Sequence, residues 1–293
     1  MRIVFVGSVQ FSLSALSQLS KMNANIVGVC TKNSSPLNSD YVDLSSFSIE
    51  KGIPWRYVDD INSKASIGWI EELEPDVIFC FGWSHILHDE LLRIAPLGVI
   101  GFHPSKLPKN RGRHPIIWAL TLGLTETGST FFFMDSGVDS GDIISQAQVL
   151  IDGNDDAKSL YEKITTTALS QIVDFFPLLE SGSFSRQKQD ESLANVWRKR
   201  MTSDGMIDWR MSAESIHNLV RGLTTPYVGA HFVVKGKEIK VWETIPLYDF
   251  PSNLEPGKVI SITETGPIVK CGTGAICLLN TSPEFKTIEG DYL

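Results

Sequence analysis

The chain predicts an α/β fold, a doubly wound and mainly parallel sheet, followed by a helix and a small strand-rich barrel. Three observations carry this. Over residues 1–185, short continuous apolar runs alternate with segments of helical spacing. A polar stretch then interrupts the pattern. Beyond it the apolar runs are short and punctuated by Gly and Pro.

The first run, residues 3–6, stops at Gly7. It is too short for a secretory core and has no small-residue cleavage site, so it reads as a buried first strand. Runs at 26–30, 77–81 and 99–102 suit strands covered on both faces. Residues 13–19 and 71–73 fit helices between them, 128–134 another strand, and 161–179 a closing helix. The α/β pattern is that of a doubly wound domain over 1–185. Residues 181–190 are polar, and a linker is expected over 186–207. The third segment, 208–293, opens with a helix: Ser212 is its N-cap, and Ile216, Leu219, Val220 and Leu223 share a face. Residues 225–229 break it. Strands at 232–234, 239–244, 258–262, 268–271 and 275–279 then suggest a small barrel.

Composition narrows the function. With 293 residues, 42% hydrophobic and 20% charged, the chain can bury a sizeable core. No stretch approaches the roughly 18–20 apolar residues of a membrane span. Cys30, Cys80, Cys271 and Cys277 form no CxxC pair and have no His at zinc-finger spacing. They read as reduced core residues in a cytoplasmic protein with no metal site. A net charge of -8 disfavours a nucleic-acid partner. It leaves room for a small anionic ligand in a local basic pocket. The turn Gly7-Ser8-Val9-Gln10-Phe11-Ser12 lacks GxGxxG spacing, and no GxxxxGK[ST] loop exists. The α/β pattern therefore implies neither a nicotinamide nor an ATP site.

Two segments carry chemistry. Residues 101–115, containing His103-Pro104-Ser105, follow a buried strand at the edge where open α/β sheets bind ligands. Residues 135–142, ending in Asp139-Ser140-Gly141-Asp142, follow the next strand and are expected at the same edge. A His there can accept a proton near neutral pH, and a carboxylate beside it can orient the ring. Taken alone, a loop His is usually a surface residue and an Asp-x-Gly-Asp turn usually just a turn.

Their order resembles the folate-dependent formyltransferase family, whose pattern is Asn-x-His-x-Ser-x-Leu-Pro, Arg-Gly, a Pro-Ile helix and Asp-x-Gly-Asp. The matching residues are His103, Ser105, Leu107-Pro108, Arg111-Gly112, Pro115-Ile116 and 139–142, with further likeness at Asp208-Trp209, Ile216…Arg221 and 225–230. The resemblance implies a Rossmann-like formyltransferase domain with a small C-terminal OB-like β-barrel. It also implies N10-formyltetrahydrofolate as one-carbon donor, and His103 and Asp142 as catalytic pair.

One position departs from the pattern. The family Asn, two residues before His103, is Gly101 here. An Asn there would bond the oxyanion that forms on the formyl carbon, and losing such a donor costs roughly a hundred- to a thousandfold in rate. Two replacements stay open: the amide of Asn110, or a backbone N–H or water beside Gly101. By resemblance, the pterin lies behind Phe81, Trp83, Ile86 and Leu87, with Val138 and Asp139 as the other wall. Core packing remains an equal reading of Trp83 and Ile86. His85 and His88 are expected at the surface or in supporting roles.

The acceptor amine is the open question. Methionyl-tRNA formyltransferases carry a basic insertion after the second strand. The stretch 31–43 holds one Lys and no Arg. Together with the acidic balance, this disfavours tRNA. Residues 109–120 and Gln189-Asp190 resemble the family's enzymes that act on nucleotide-linked amino-deoxysugars, which implies a small-molecule acceptor of that kind. Such products feed surface polysaccharides. Trp197-Arg198-Lys199-Arg200 puts cations beside an aromatic, a combination suited to a diphosphate and a base, though equally a solvated basic patch. The expected substrate contacts are Ser105, Arg111, Tyr161, Lys199, Arg200 and Trp209. Methionyl-tRNA formylation is the first alternative. Glycinamide ribonucleotide formylation, a non-catalytic scaffold and a formate-releasing hydrolase are the others. A barrel tail of this kind can also pair subunits into a homodimer.

Overall fold

The computed structural model describes residues 1–35 and 39–293. The middle of the 31–43 stretch, residues 36–38, lies outside the described residues. Along the chain, β1 (Arg2–Val6), α1 (Gln10–Lys21), β2 (Asn25–Thr31), α2 (Ser45–Lys51), β3 (Trp55–Tyr57), α3 (Lys64–Glu72), β4 (Val77–Cys80), α4 (Asp89–Leu92) and β5 (Val99–His103) alternate. Then come β6 (Arg111–Gly112), α5 (Pro115–Thr121), β7 (Glu126–Phe133), β8 (Ile143–Leu150) and the long α6 (Ala157–Glu180). The rest is β9 (Val196–Trp197), α7 (Ala213–Leu223), β10 (Ala230–Val234), β11 (Lys237–Leu247), β12 (Val259–Thr263), β13 (Gly266–Lys270) and β14 (Ala275–Ser282).

The elements form two units, which interleave along the sequence. The first takes residues 1–112, 127–149 and 163–197; the second takes 113–126, 150–162 and 198–293.

The first unit is built on a seven-stranded sheet, order β3-β2-β1-β4-β5-β7-β8. β1, β2, β3, β4 and β5 pair in parallel. Continuous apolar strands need cover on both faces, and residues 3–6 of β1 and 77–79 of β4 are fully buried. At the sheet's centre, Phe81 meets Phe5 edge-on at 5.6 Å, stacks on Phe79 at 5.2 Å and meets Phe131 at 5.2 Å. Burying such a ring is worth roughly 1.5–3 kcal/mol. Burial pushes the Cys30 and Cys80 thiols up to about 12, so both are inert core groups.

Two features depart from the sequence reading. β7 runs antiparallel to β5, with Phe133 opposite Ile100 and Thr130 opposite His103. β8 was not expected at all: only Ile143 and Val149 are buried and Ser145, Gln146 and Gln148 interrupt it, so it lacks a continuous apolar run. The polar residues expected to begin a linker are also engaged in this unit. Ile143 and Gln187 exchange N–H···O bonds of 2.8 and 2.9 Å, and the Arg111 N–H donates to Asn195 O at 3.0 Å.

The second unit holds an antiparallel five-stranded sheet, order β10-β11-β14-β13-β12. An unpaired strand edge invites aggregation, and each edge here is bonded at one residue. Ile207 donates to His231 O at 2.7 Å, while Val259 bonds Asp291 O at 2.8 Å and accepts from Gly290 at 2.9 Å. The apolar face of α7, with Ile216, Leu219, Val220 and Leu223, packs into a core shared with Trp209, Phe232, Val241 and Ile276. Its N-terminus is capped as the sequence implies: Ser212 Oγ accepts the Ser215 N–H at 3.0 Å.

Removing that cap leaves an orphan N–H at the start of α7. Ser212→Ala is expected to lower unfolding free energy by about 1 kcal/mol. Urea denaturation checks this, and a midpoint matching the parent would contradict the capping role.

Candidate active site

The site grows from the end of β5. His103 is its last residue and is 5% exposed. Its Nε2 lies 2.8 Å from the Asn110 carbonyl oxygen. A carbonyl can only accept, so Nε2 carries the proton and the neutral ring keeps its lone pair on Nδ1. Nδ1 in turn lies 3.5 Å from Asp139 Oδ2. A proton arriving at Nδ1 would thus face a carboxylate.

The carboxylate at His103 is Asp139, not the Asp142 expected from the sequence. Among the described residues, no hydrogen bond or ion pair joins Asp142 to His103; the Asp142 carbonyl instead accepts the Phe133 N–H at 2.8 Å, closing the β7–β8 turn. The route of the loop explains the difference. β7 ends beside Ile100, three residues short of His103, so the loop leaves at the far end of β5 from the imidazole. Residues 135–139 then run back. Five residues can span roughly 17 Å, enough to return Asp139 to His103. Asp142, beside β8, stays behind.

A polar network holds Asp139 there. Its Oδ2 accepts the Gly112 N–H at 2.8 Å. Its own carbonyl and that of Gly141 accept the Gln189 amide at 2.8 and 2.7 Å. Gln189 Oε1 accepts Arg111 Nε and Nη2 at 3.2 and 2.8 Å. The other side of that guanidinium pairs with both oxygens of Glu191, at 2.9 and 2.7 Å. The Glu191 bond raises the Arg111 pKa and lowers that of Glu191. Arg111, expected at substrate, is thus buried and engaged within the protein. Neither Gln189, marked only through the family likeness of Gln189-Asp190, nor Glu191 was among the expected site residues, because nothing in a polar stretch shows which side chain turns inward.

Gly101 has a steric reason. A Cβ there would stand 2.9 Å from Met134 Cγ and 3.2 Å from the Phe132 ring. The family Asn cannot fit without moving Met134. Asn110, in the left-handed region at φ 65°, offers its carbonyl to His103 and its N–H to Asn195 Oδ1 at 2.9 Å. Its side-chain amide has no hydrogen bond among the described residues. Ser105 is fully buried and bonds Lys109 O at 3.0 Å, so it shapes the loop instead of facing solvent.

The residues expected around a pterin divide. Phe81 belongs to the aromatic core and Leu87 is buried. Ile86 and Val138 are exposed, at 72% and 51%. Trp83 Nε1 is buried without a partner, an orphan donor of the kind a ligand satisfies. Lys32, unmarked by the sequence reading, lies 4.9 Å over the Trp83 ring and 2.5 Å from His85 Nε2, and desolvation lowers its pKa.

The remaining expected residues lie in the second unit. Trp209 is buried in the core, 5.3 Å from Phe232 and nearly edge-on. It is a packing residue. Arg198 and Arg200 lie over Trp118, at 5.3 and 4.5 Å, not over Trp197. Arg198 also forks onto Asp204, and Arg200 bonds Asp204 O at 2.6 Å. Lys199 is exposed, and Tyr161 is half-buried on α6. His114 has a buried Nε2 without a partner, and its pKa is lowered by burial first and then by Arg113, Arg200 and Lys199. Among the described residues no cluster of His, Cys, Asp or Glu could hold a metal, and no helix is long and apolar enough to cross a membrane.

Comparison with known proteins bears on this arrangement. Residues 1–175 match the formyl transferase family and residues 200–290 match the formyl transferase C-terminal domain. The methionyl-tRNA formyltransferase of Geobacter metallireducens is 31% identical over 278 residues, covering 94% of this chain and 88% of that protein. Two solved structures share the fold. The sugar 3N-formyltransferase WlaRD, determined with dTDP and 5-N-formyl-THF, gives a TM-score of 0.73 at 19% identity, covering 97% of this chain and 99% of that one. The N-formyltransferase of Helicobacter canadensis, with folinic acid and dTDP-3-aminofucose, gives 0.72 at 16%, covering 94% and 98%.

The Gln189 bridge generates a test. Gln189→Leu strips two carbonyls and one guanidinium of their partner. It is expected to cost about 1–3 kcal/mol of stability. Amide exchange at Gly112, whose N–H rests on Asp139, should also quicken. Unchanged exchange there would mean that the loop holds its place without the bridge.

Proposed function

Since this chain belongs to the formyl transferase family, we propose that it passes the formyl group of N10-formyltetrahydrofolate to the amine of a nucleotide-linked amino-deoxysugar. The observation that carries the reading is the imidazole of His103 held between the Asn110 carbonyl and the Asp139 carboxylate. Folate-dependent one-carbon transfer is the chemistry of the family. The assignment of roles and acceptor is ours.

The folate, when bound, supplies an activated formyl carbon. Trp83, Ile86 and Val138 suit its pterin, through an orphan indole N–H and exposed apolar surface. His103 takes the proton lost by the attacking amine at Nδ1. Asp139 stabilises the imidazolium so formed and keeps the ring oriented, the part first expected of Asp142. The proton then returns to the departing folate nitrogen as its bond to the formyl carbon breaks. The unbonded side-chain amide of Asn110 is our candidate for the oxyanion donor missing at Gly101.

Four considerations support a sugar nucleotide. The chain is acidic, at -8. Its described part of the 31–43 stretch contributes one cation, Lys32. Two solved structures of similar fold were determined with dTDP or a dTDP-aminosugar. Arg113, His114, Lys199 and Arg200 lie close enough for the three cations to act on the imidazole, a cluster suited to a diphosphate. Methionyl-tRNA is the second reading, favoured by the 31% identical relative.

Incubation with N10-formyltetrahydrofolate and either dTDP-linked amino-deoxysugars or methionyl-tRNA decides between acceptors. Formylated sugar nucleotide is expected; formylation of the tRNA alone would overturn the choice. His103→Ala should reduce turnover by about 10²–10⁴-fold. Asp139→Asn should cost at least ten times more than Asp142→Asn. The reverse order would return the catalytic carboxylate to Asp142.

A further inference from the structure

The second unit contains a cavity of about 690 Å³ that the formyl-transfer reading leaves unused. Its walls come from residues 153–156, from α7, from β11 and from β14. That volume lies within the roughly 300–1,000 Å³ of small-molecule sites. We propose that this cavity is a separate binding site for a saccharide, neutral or bearing an amine.

The case rests on which polar groups are already engaged and which are not. Asp155 is fixed: its carboxylate accepts the Asp152 N–H at 2.7 Å and the Ser159 hydroxyl at 2.8 Å. Arg221 is positioned from behind. Its Nε donates to Asn218 Oδ1 at 2.7 Å and its Nη1 to Asp155 O at 2.8 Å, while Nη2 has no partner among the described residues. His217 is held by Nδ1, 3.0 Å from Thr244 Oγ1, and its Nε2 is likewise unbonded. Trp242 and Asn280 also line the cavity, and their side chains make no hydrogen bonds among the described residues. Anchored side chains with one face unsatisfied are preorganised for a ligand rich in hydroxyls, which both donate and accept.

Charge selects the class. The lining carries the carboxylates of Asp155, Asp156 and Glu243 against the single guanidinium of Arg221. Burial, followed by Arg221, lowers the His217 pKa, so this imidazole adds no positive charge at neutral pH. A phosphate or diphosphate would meet net repulsion. A sugar would not, and an amine on it would be favoured. Trp242 supplies an aromatic wall for the apolar faces of a sugar ring.

Saturation-transfer NMR on the full chain tests this with glucosamine, N-acetylglucosamine and methyl glucoside, against uridine monophosphate and inorganic phosphate. Saccharide signals are expected that persist in His103→Ala, fall at least fivefold in Trp242→Ala, and recover in Trp242→Phe. Asn280→Ala, at an exposed position, gives a second reduction should Trp242→Ala fold poorly. Failure of all three sugars, signals indifferent to these variants, or a Trp242-dependent preference for the phosphates would overturn the proposal. Formyl transfer is assayed separately, so the fate of one reading leaves the other standing.

Discussion

The Arg111 guanidinium is the constraint on which the site's geometry depends. A buried arginine is tolerated only where its N–H groups are matched. Here the matching pulls two residues of a polar stretch, Gln189 and Glu191, onto the first unit. Gln189 then has an amide left over, which reaches the carbonyls on either side of Ser140. The loop that carries Asp139 is thereby held where its carboxylate meets both Gly112 and His103. The imidazole's surroundings are set by a cation that need never touch substrate. A lysine could not replace it, since one ammonium cannot grip an amide and a carboxylate in two planar forks.

This dependence bears on what the sequence could and could not disclose. Buried parallel strands announce themselves by continuous apolar runs, so β1, β2, β4 and β5 were legible, as was the Ser212 cap, a local contact. His103 stood out because it ends such a run. The choice between Asp139 and Asp142 was not legible. Both sit in one short motif, and what separates them is the return of a loop from the far end of an antiparallel strand. That direction is set by sheet pairing, not by spacing. Aromatic and basic neighbours misled for the same reason: Arg198 and Arg200 follow Trp197 in the chain but rest on Trp118, 80 residues away for the Arg198 carbonyl that accepts its indole N–H. Trp209 was expected at substrate, and its ring is in the core.

Gly101 shows how one substitution can be absorbed by its surroundings. Met134 and Phe132 close over it so tightly that a side chain there would displace them. The change is a repacked interior, not an open gap awaiting water. Any replacement donor must therefore approach from the loop side, where Asn110 already contacts the imidazole through its carbonyl. The backbone at Asn110 that turns this carbonyl to the imidazole is left-handed, a conformation Asn adopts more readily than most residues.

The choice of acceptor turns on how many cations a ligand must gather. The chain has 26 lysines and arginines against 34 acids, and several of its arginines already make bonds within the protein. Arg111 serves Glu191, Arg200 serves Asp204 O and Trp118, and Arg221 serves the 152–155 turn. A polyanion as long as an acceptor stem draws its affinity from many free Lys and Arg groups releasing counterions together. A diphosphate needs only a few cations brought close. Arg113 and Lys199, exposed beside a buried imidazole nitrogen that lacks a partner, meet that smaller demand. The same arithmetic separates the two proposed sites of the second unit: one gathers cations, the other carboxylates, and a single charged ligand could not satisfy both.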